Sequence, residues 1–133
     1  MENKGPEKRE CGRFAIPGAT VSFKLKEYIE EFSPIEDISR GGLKFLCKKA
    51  VDLNTELILK ISIPDEKVPF TLQGVVHWIS FDREKNSYQI GIQFNPYGEK
   101  LGQNYPGNLV KIIALEQKFS AQAKSGTEKY EID

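Results

Sequence analysis

Leu57, Leu59, Ile61 and Ile63 alternate with Ile58, Lys60 and Ser62, and the pattern stops at Pro64-Asp65. Successive side chains of a strand leave opposite faces, so this period of two buries one face and ends in a turn. The same period recurs. Ile16, Ala19, Val21, Phe23 and Leu25 predict a first strand, with Pro17-Gly18 making a bend or edge bulge near its start. Leu43, Phe45 and Cys47 predict another, Phe70, Leu72 and the run Gly74–Ile79 a further one, and Tyr88, Ile90, Ile92 and Phe94 the last. Five or six strands joined by short turns predict an antiparallel barrel or sandwich.

Beyond Asn95-Pro96 the period changes. Leu109, Ile112, Ile113, Leu115 and Phe119 fall at helical spacing just after Pro106-Gly107, which predicts one amphipathic helix of about 15 residues. Its stripe can face the barrel or a second subunit. The barrel is favoured, because an uncovered stripe of that size invites aggregation. The segment 1–7 and the tail 124–133 are polar and bury too little to offset the entropy of ordering, so they read as a loose arm and a frayed tail around one domain at 8–123. Within that domain the barrel is expected at about 13–95 and the helix at about 107–122.

With 133 residues and 39% apolar content the chain supports a single core. Lysine plus arginine balances aspartate plus glutamate, 19 against 19, so no global field draws the protein to nucleic acid or anionic lipid. Any anion site must be local. There is no stretch of roughly 18 apolar residues to enter a bilayer and no secretory leader, and only Cys11 and Cys47 are cysteines, so a cytoplasmic setting is expected.

Against that balance, "KRECGRF" at 8–14 gathers three cations beside a glycine and an aromatic. Arg9 and Arg13 are four residues apart, with Lys8 adjacent. Guanidinium presents a planar fork that binds phosphate bidentately, and two forks suit a ligand with two phosphates. A solvated charged arm is the other reading of that stretch. In "DISRGGLKF", 37–45, Asp37 and Ser39 leave the same face of an extended chain, and Gly41-Gly42 allow a tight turn with close backbone approach. A carboxylate accepts from the N1 and N2 hydrogens of guanine, and a hydroxyl can bond a base or a phosphate. Alone, Asp37 can equally cap its own backbone in an Asx turn.

Taken together, Arg9-x-x-x-Arg13 followed by Asp37-x-Ser39-x-x-Gly42 resembles the bipartite signature of PilZ domains, bacterial receptors for cyclic di-GMP. "GVVHWIS" at 74–80 and "YQIGIQF" at 88–94 are similar to the paired core strands of that family, and the resemblance covers roughly residues 8–120. It implies a six-stranded antiparallel β-barrel capped by a C-terminal α-helix. It also implies that Arg9 and Arg13 grip phosphates and the Hoogsteen edge of guanine. Asp37 and Ser39 would then contact the guanine, and Gly42 would keep the barrel surface open. Lys8, preceding the first arginine, leans toward a stacked pair of nucleotides. Arg40 is either a further phosphate contact or simply solvent-exposed. The resemblance further implies an N-terminal arm that orders on the ligand and a separate downstream protein, of motility, pilus or exopolysaccharide machinery, that reads the result. An adaptor of the same fold acting without nucleotide is the alternative.

Other chemistry finds little support. His77, the single histidine, lies beside Trp78 in a predicted strand and reads as a satisfied barrel residue. The two cysteines have no metal-ligand spacing, although the arginines flanking Cys11 can lower a thiol pKa. Ser39 lacks a Gly-x-Ser-x-Gly elbow and there is no Gly-rich phosphate loop, so neither an enzyme nor a resident cofactor is expected. An oligonucleotide-binding barrel would stack bases on Trp78, Phe81 or Tyr88, but alternation predicts most aromatics inside, and charge balance offers no basic groove.

Overall fold

The computed structural model describes residues 12–26 and 28–132, with side chains described as far as Ser120. Six strands are present: β1 (Thr20–Leu25), β2 (Tyr28–Ile38), β3 (Gly42–Cys47), β4 (Glu56–Ser62), β5 (Phe70–Asp82) and β6 (Ser87–Phe94). All neighbouring pairs are antiparallel and the order β1-β2-β3-β6-β5-β4 closes on itself, so the expected six-stranded barrel is what forms. Closure leaves no strand edge unpaired around the ring.

The alternation in β4 is realised residue by residue. Leu57, Leu59 and Ile61 are buried, while Glu56, Ile58 and Lys60 face out. Val21, Phe45, Leu72, Val76 and Ile90 meet them in the interior. Each such side chain contributes about 1.5–3 kcal/mol by leaving water, which makes this interior the main source of stability. Phe23 packs edge-on against Phe45, with ring centroids 5.5 Å apart.

The first strand begins later than its apolar pattern suggests. Ile16 and Ala19 are buried but precede β1, because Gly18 takes φ 82° in the turn with Pro17. A side chain there would also press on Pro64.

The helix α1 spans Pro106–Ile132. Ile112 and Leu115 are buried and Phe119 packs on the core, so the stripe does meet the barrel. Leu109 and Ile113 are only half-buried, because they sit at the margins of that contact. Asn108 Nδ2 donates to the Thr71 carbonyl (2.9 Å) and Lys111 pairs with Glu66 (3.3 Å), tying the first turns of α1 to the start of β5 and the loop before it. The connection from β6 to α1 is pinned by buried Asn104. Its Nδ2 donates to the carbonyls of Gln73 and Asn95 and its Oδ1 accepts from Gln73 N–H. Among the described residues no helix is long and apolar enough to cross a membrane.

Candidate functional site

β2 carries the acidic groups and is irregular. Its pairing with β3 runs Ile35 to Phe45 and then Asp37 to Lys44, so Glu36 is an extra residue with no opposite number. That bulge turns Glu36 and Asp37 both outward while Ile35 and Ile38 stay buried. A second bulge lies across the barrel surface in β5, where Val76 opposes Ile92 but Trp78 opposes Gly91. His77 is thereby exposed and Trp78 lies half-buried over Gly91, where any Cβ would collide with the indole.

Arg13 reaches this surface because Phe14 bridges Ile38. Phe14 N–H donates to Ile38 O (3.0 Å) and Ile38 N–H to Phe14 O (2.9 Å). The Arg13 guanidinium then donates to Asp37 Oδ1 at 2.6 Å, across 24 residues of sequence. Lys44, from the strand opposite, places Nζ 3.7 Å from Asp37 Oδ2 and 3.8 Å from Glu36 Oε1. Glu36 also accepts from Lys85, whose ammonium it holds above the usual lysine value. Its Oε1 is buried with no hydrogen-bond partner, since Lys44 stands beyond hydrogen-bond range. Charges therefore alternate along one line: Arg13, Asp37, Lys44, Glu36, Lys85.

Arg13, Asp37, Lys44, His77 and Trp78 enclose a recess of about 450 Å³ on the outside of the barrel. It offers two cations, of which Arg13 is held by a hydrogen bond, one carboxylate, an imidazole and an indole. That combination can hold a planar, hydrogen-bonding anion.

Several sequence expectations look different in space. Asp37 does not cap its own backbone; its carboxylate is engaged by Arg13 and Lys44. The turn is instead shaped by Ser39, whose N–H donates to Gly42 O (2.8 Å) and whose Oγ accepts from Gly41 N–H (3.2 Å). β2 ends at Ile38, so Ser39 does not continue the extended chain with Asp37, and neither Ser39, Arg40 nor Gly42 lines the recess. Arg40 donates from Nε to Glu116 Oε1 of α1 (3.1 Å), and its carbonyl accepts from Tyr97 OH (2.7 Å), so it braces the helix. Burial pushes the Tyr97 hydroxyl up to about 12. Gly42 is buried, and a Cβ there would strike the Ile92 carbonyl; the glycine is required by close strand approach rather than by an open surface. Lys8, Arg9 and Cys11 lie outside the described residues.

His77 is a strand residue of the barrel but an exposed one. Most of the described aromatics do lie inside or against the core, Phe14, Phe23, Phe45, Phe70 and Phe94 being buried, while Phe81 is 49% exposed and Phe32 63%. Lys44, His77 and Trp78 join the site although composition and motif spacing gave no sign of it. The only available signal was Gly91 opposite "HW", a gap the size of an aromatic ring on the outer face. Cys47 is buried in the core and burial pushes its thiol up, which makes it a poor nucleophile. Among the described residues no group of three His, Cys, Asp or Glu is placed to hold a metal ion.

The sequence profile of the PilZ domain matches residues 7–105. The chain belongs to the PilZ domain family. Its fold is shared with solved structures of low sequence identity. The PilZ domain with c-di-GMP of YcgR from Escherichia coli has a TM-score of 0.64 at 15% identity, covering 88% of this chain and 95% of that one. The K. pneumonia MrkH–c-di-GMP complex has a TM-score of 0.66 at 18% identity, covering 86% of this chain and 53% of MrkH. The Bacillus subtilis inhibitor of motility MotI (DgrA) has a TM-score of 0.61 at 16% identity, covering 80% of this chain and 48% of MotI. This PilZ domain thus spans about half the length of MotI and of MrkH. No curated protein matches the chain significantly in sequence.

Proposed function

We propose that this PilZ domain is a receptor for cyclic di-GMP and that the recess beside Arg13 and Asp37 takes one guanine of the ligand. The observation that carries the reading is the 2.6 Å pair between Arg13 and Asp37, which joins the two halves of the motif beside an available indole face. Asp37 would accept from guanine N1 and N2 hydrogens, and Arg13 would donate to its O6 and N7 or to a phosphate. Trp78 would stack on the base, a contact worth about 1–3 kcal/mol. Lys44, close to two carboxylates without a hydrogen bond to either, is free to turn one donor toward a phosphate. Lys8 and Arg9 would add the second guanidinium and a further cation, as the motif implies.

The Arg13–Asp37 pair is partly exposed, with side chains 36% and 22% accessible. Such a pair is worth about 0.2–1 kcal/mol, so a ligand making several charge-assisted bonds can open it. Ser39 and Gly42 support the site by fixing the turn that follows Asp37, and Arg40 links that turn to α1. A ligand drawing on the turn would therefore act on the seating of the helix, which gives a route to a downstream partner. MotI is described as an inhibitor of motility, and machinery of that kind is one class of partner for this domain.

Isothermal titration with cyclic di-GMP, with GTP and cyclic di-AMP as controls, tests the proposal. Selective binding with a dissociation constant at or below about 10 µM is expected. Absence of heat with every nucleotide, together with an unchanged melting temperature, would favour a ligand-independent adaptor.

A further inference from the structure

The other end of β2 carries a second irregularity that the ligand site does not use. Val21 opposes Ser33 and Phe23 opposes Glu30, so Glu31 and Phe32 together face Ser22. Phe32 takes φ 57°, a backbone conformation unfavourable for a bulky residue, and its N–H donates to Ser22 Oγ (3.0 Å). The result is an aromatic ring held outward, 63% exposed, with no place in the core. Beside it is a recess of about 590 Å³ over β1, flanked by Ile58 of β4 and Ile29 of β2, which are 62% and 58% exposed. Ser22 is small and nearly buried, which is why the surface dips there.

The charges around this recess decide what fits it. Three lysines and three glutamates line it. A partner of one sign, such as an acidic peptide or an anionic lipid surface, would meet as much repulsion as attraction. The signs are also arranged in space. Lys60 on β4 lies opposite Ser22, level with Glu31 across β1, and Ile58, two residues from Lys60, lies level with the pair Lys24 and Ile29. A twofold axis along β1 exchanges the two flanks, bringing Lys60 of one copy to Glu31 of the other and Ile58 to Ile29. That pairs unlike charges with each other and apolar side chains with each other across the axis, the self-complementarity an isologous interface needs, while Lys24, exposed on β1, meets its own counterpart on the axis and opposes the association.

We infer that this PilZ domain forms a twofold dimer through the outer face of β1, β2 and β4, with Phe32 of each copy seated in the recess of the other. The surface lies at the opposite end of β2 from Asp37, so the inference stands independently of the ligand.

Sedimentation equilibrium of the full chain tests it. Between about 1 and 500 µM, a range that brackets ordinary association constants, the apparent mass is expected to rise from 15.1 kDa toward twice that value. Phe32→Asn, which suits the positive φ, is expected to weaken association at least about tenfold without impairing folding. Lys60→Glu should weaken it as well, and Lys60→Glu combined with Glu31→Lys should restore it. A monomer throughout the range, or a dimer indifferent to both single substitutions, overturns the inference. Circular dichroism and cyclic di-GMP titration of each variant separate loss of the interface from loss of the fold or of the ligand site.

Discussion

β4 and β2 both flank β1 in the same barrel, yet they are built on different terms. β4 alternates without a break, buries every second residue and carries no bulge. β2 has two bulges, a proline in mid-strand at Pro34, a phenylalanine at positive φ and four acidic residues. The regular strand supplies stability. The irregular one supplies chemistry, because a bulge turns two neighbouring side chains to the same face and so brings Glu36 and Asp37, or Glu31 and Phe32, out together. Regularity cannot do this, since in an unbroken strand the second residue of each pair would point into the core.

That contrast can be broken at either strand, and the largest effect is expected in β4. Leu59→Ala should destabilise the domain by about 2–5 kcal/mol in denaturant unfolding, since Leu59 is fully buried in the closed barrel. Where the variant remains folded, its ligand affinity should match that of the parent. Asp37→Ala should do the reverse. Loss of a partly exposed ion pair costs under about 1 kcal/mol of stability, whereas cyclic di-GMP affinity should fall at least about tenfold. Equal losses of stability in the two variants would dissolve the distinction between the strands.

A smaller effect concerns the link from the site to the helix. Burial raises the Tyr97 hydroxyl from its ordinary 10.0 to about 12, and its hydrogen bond holds the Arg40 carbonyl. A raised value means the neutral form is favoured by folding. Its contribution is complete below pH 10.0 and is lost as the pH climbs toward about 12. Tyr97→Phe should therefore flatten the alkaline decline in stability across that window relative to the parent, measured by denaturant unfolding at each pH. An identical decline in both proteins would assign it to other groups.

The legibility of the sequence follows the same division. Strands β3, β4 and β6, the first half of β5 and the beginning of the helix were readable because burial on one face imposes a period, most regularly in β4. β2 was readable only through its motif residues. In "YIEEFSPIEDI" the two bulges shift the phase twice, and Pro34 argues against a strand on local grounds. At the site, Asp37 and Arg13 were legible from their spacing and meet in space. His77 was read as a satisfied barrel residue and Trp78 only as a stacking platform for an oligonucleotide, because the bulge that brings them to the recess leaves no mark in hydrophobic periodicity. Lys44 was invisible as well: nothing in "GLKF" separates a lysine beside two carboxylates from one in open solvent. Gly42 was read as keeping the surface open for a ligand, whereas it is buried and the Ile92 carbonyl leaves no room there for a Cβ.

Trp78 is the single tryptophan of the chain and lines the recess, so its emission reports directly on the claimed site. Titrating the protein with cyclic di-GMP while following that emission, in the parent and in Asp37→Ala, is the most direct test. A saturable change in the parent that GTP does not reproduce, shifted at least about tenfold in Asp37→Ala, is the expected result. Binding seen by calorimetry with Trp78 emission unchanged, or with Asp37→Ala binding as tightly as the parent, would place the ligand elsewhere and contradict the account.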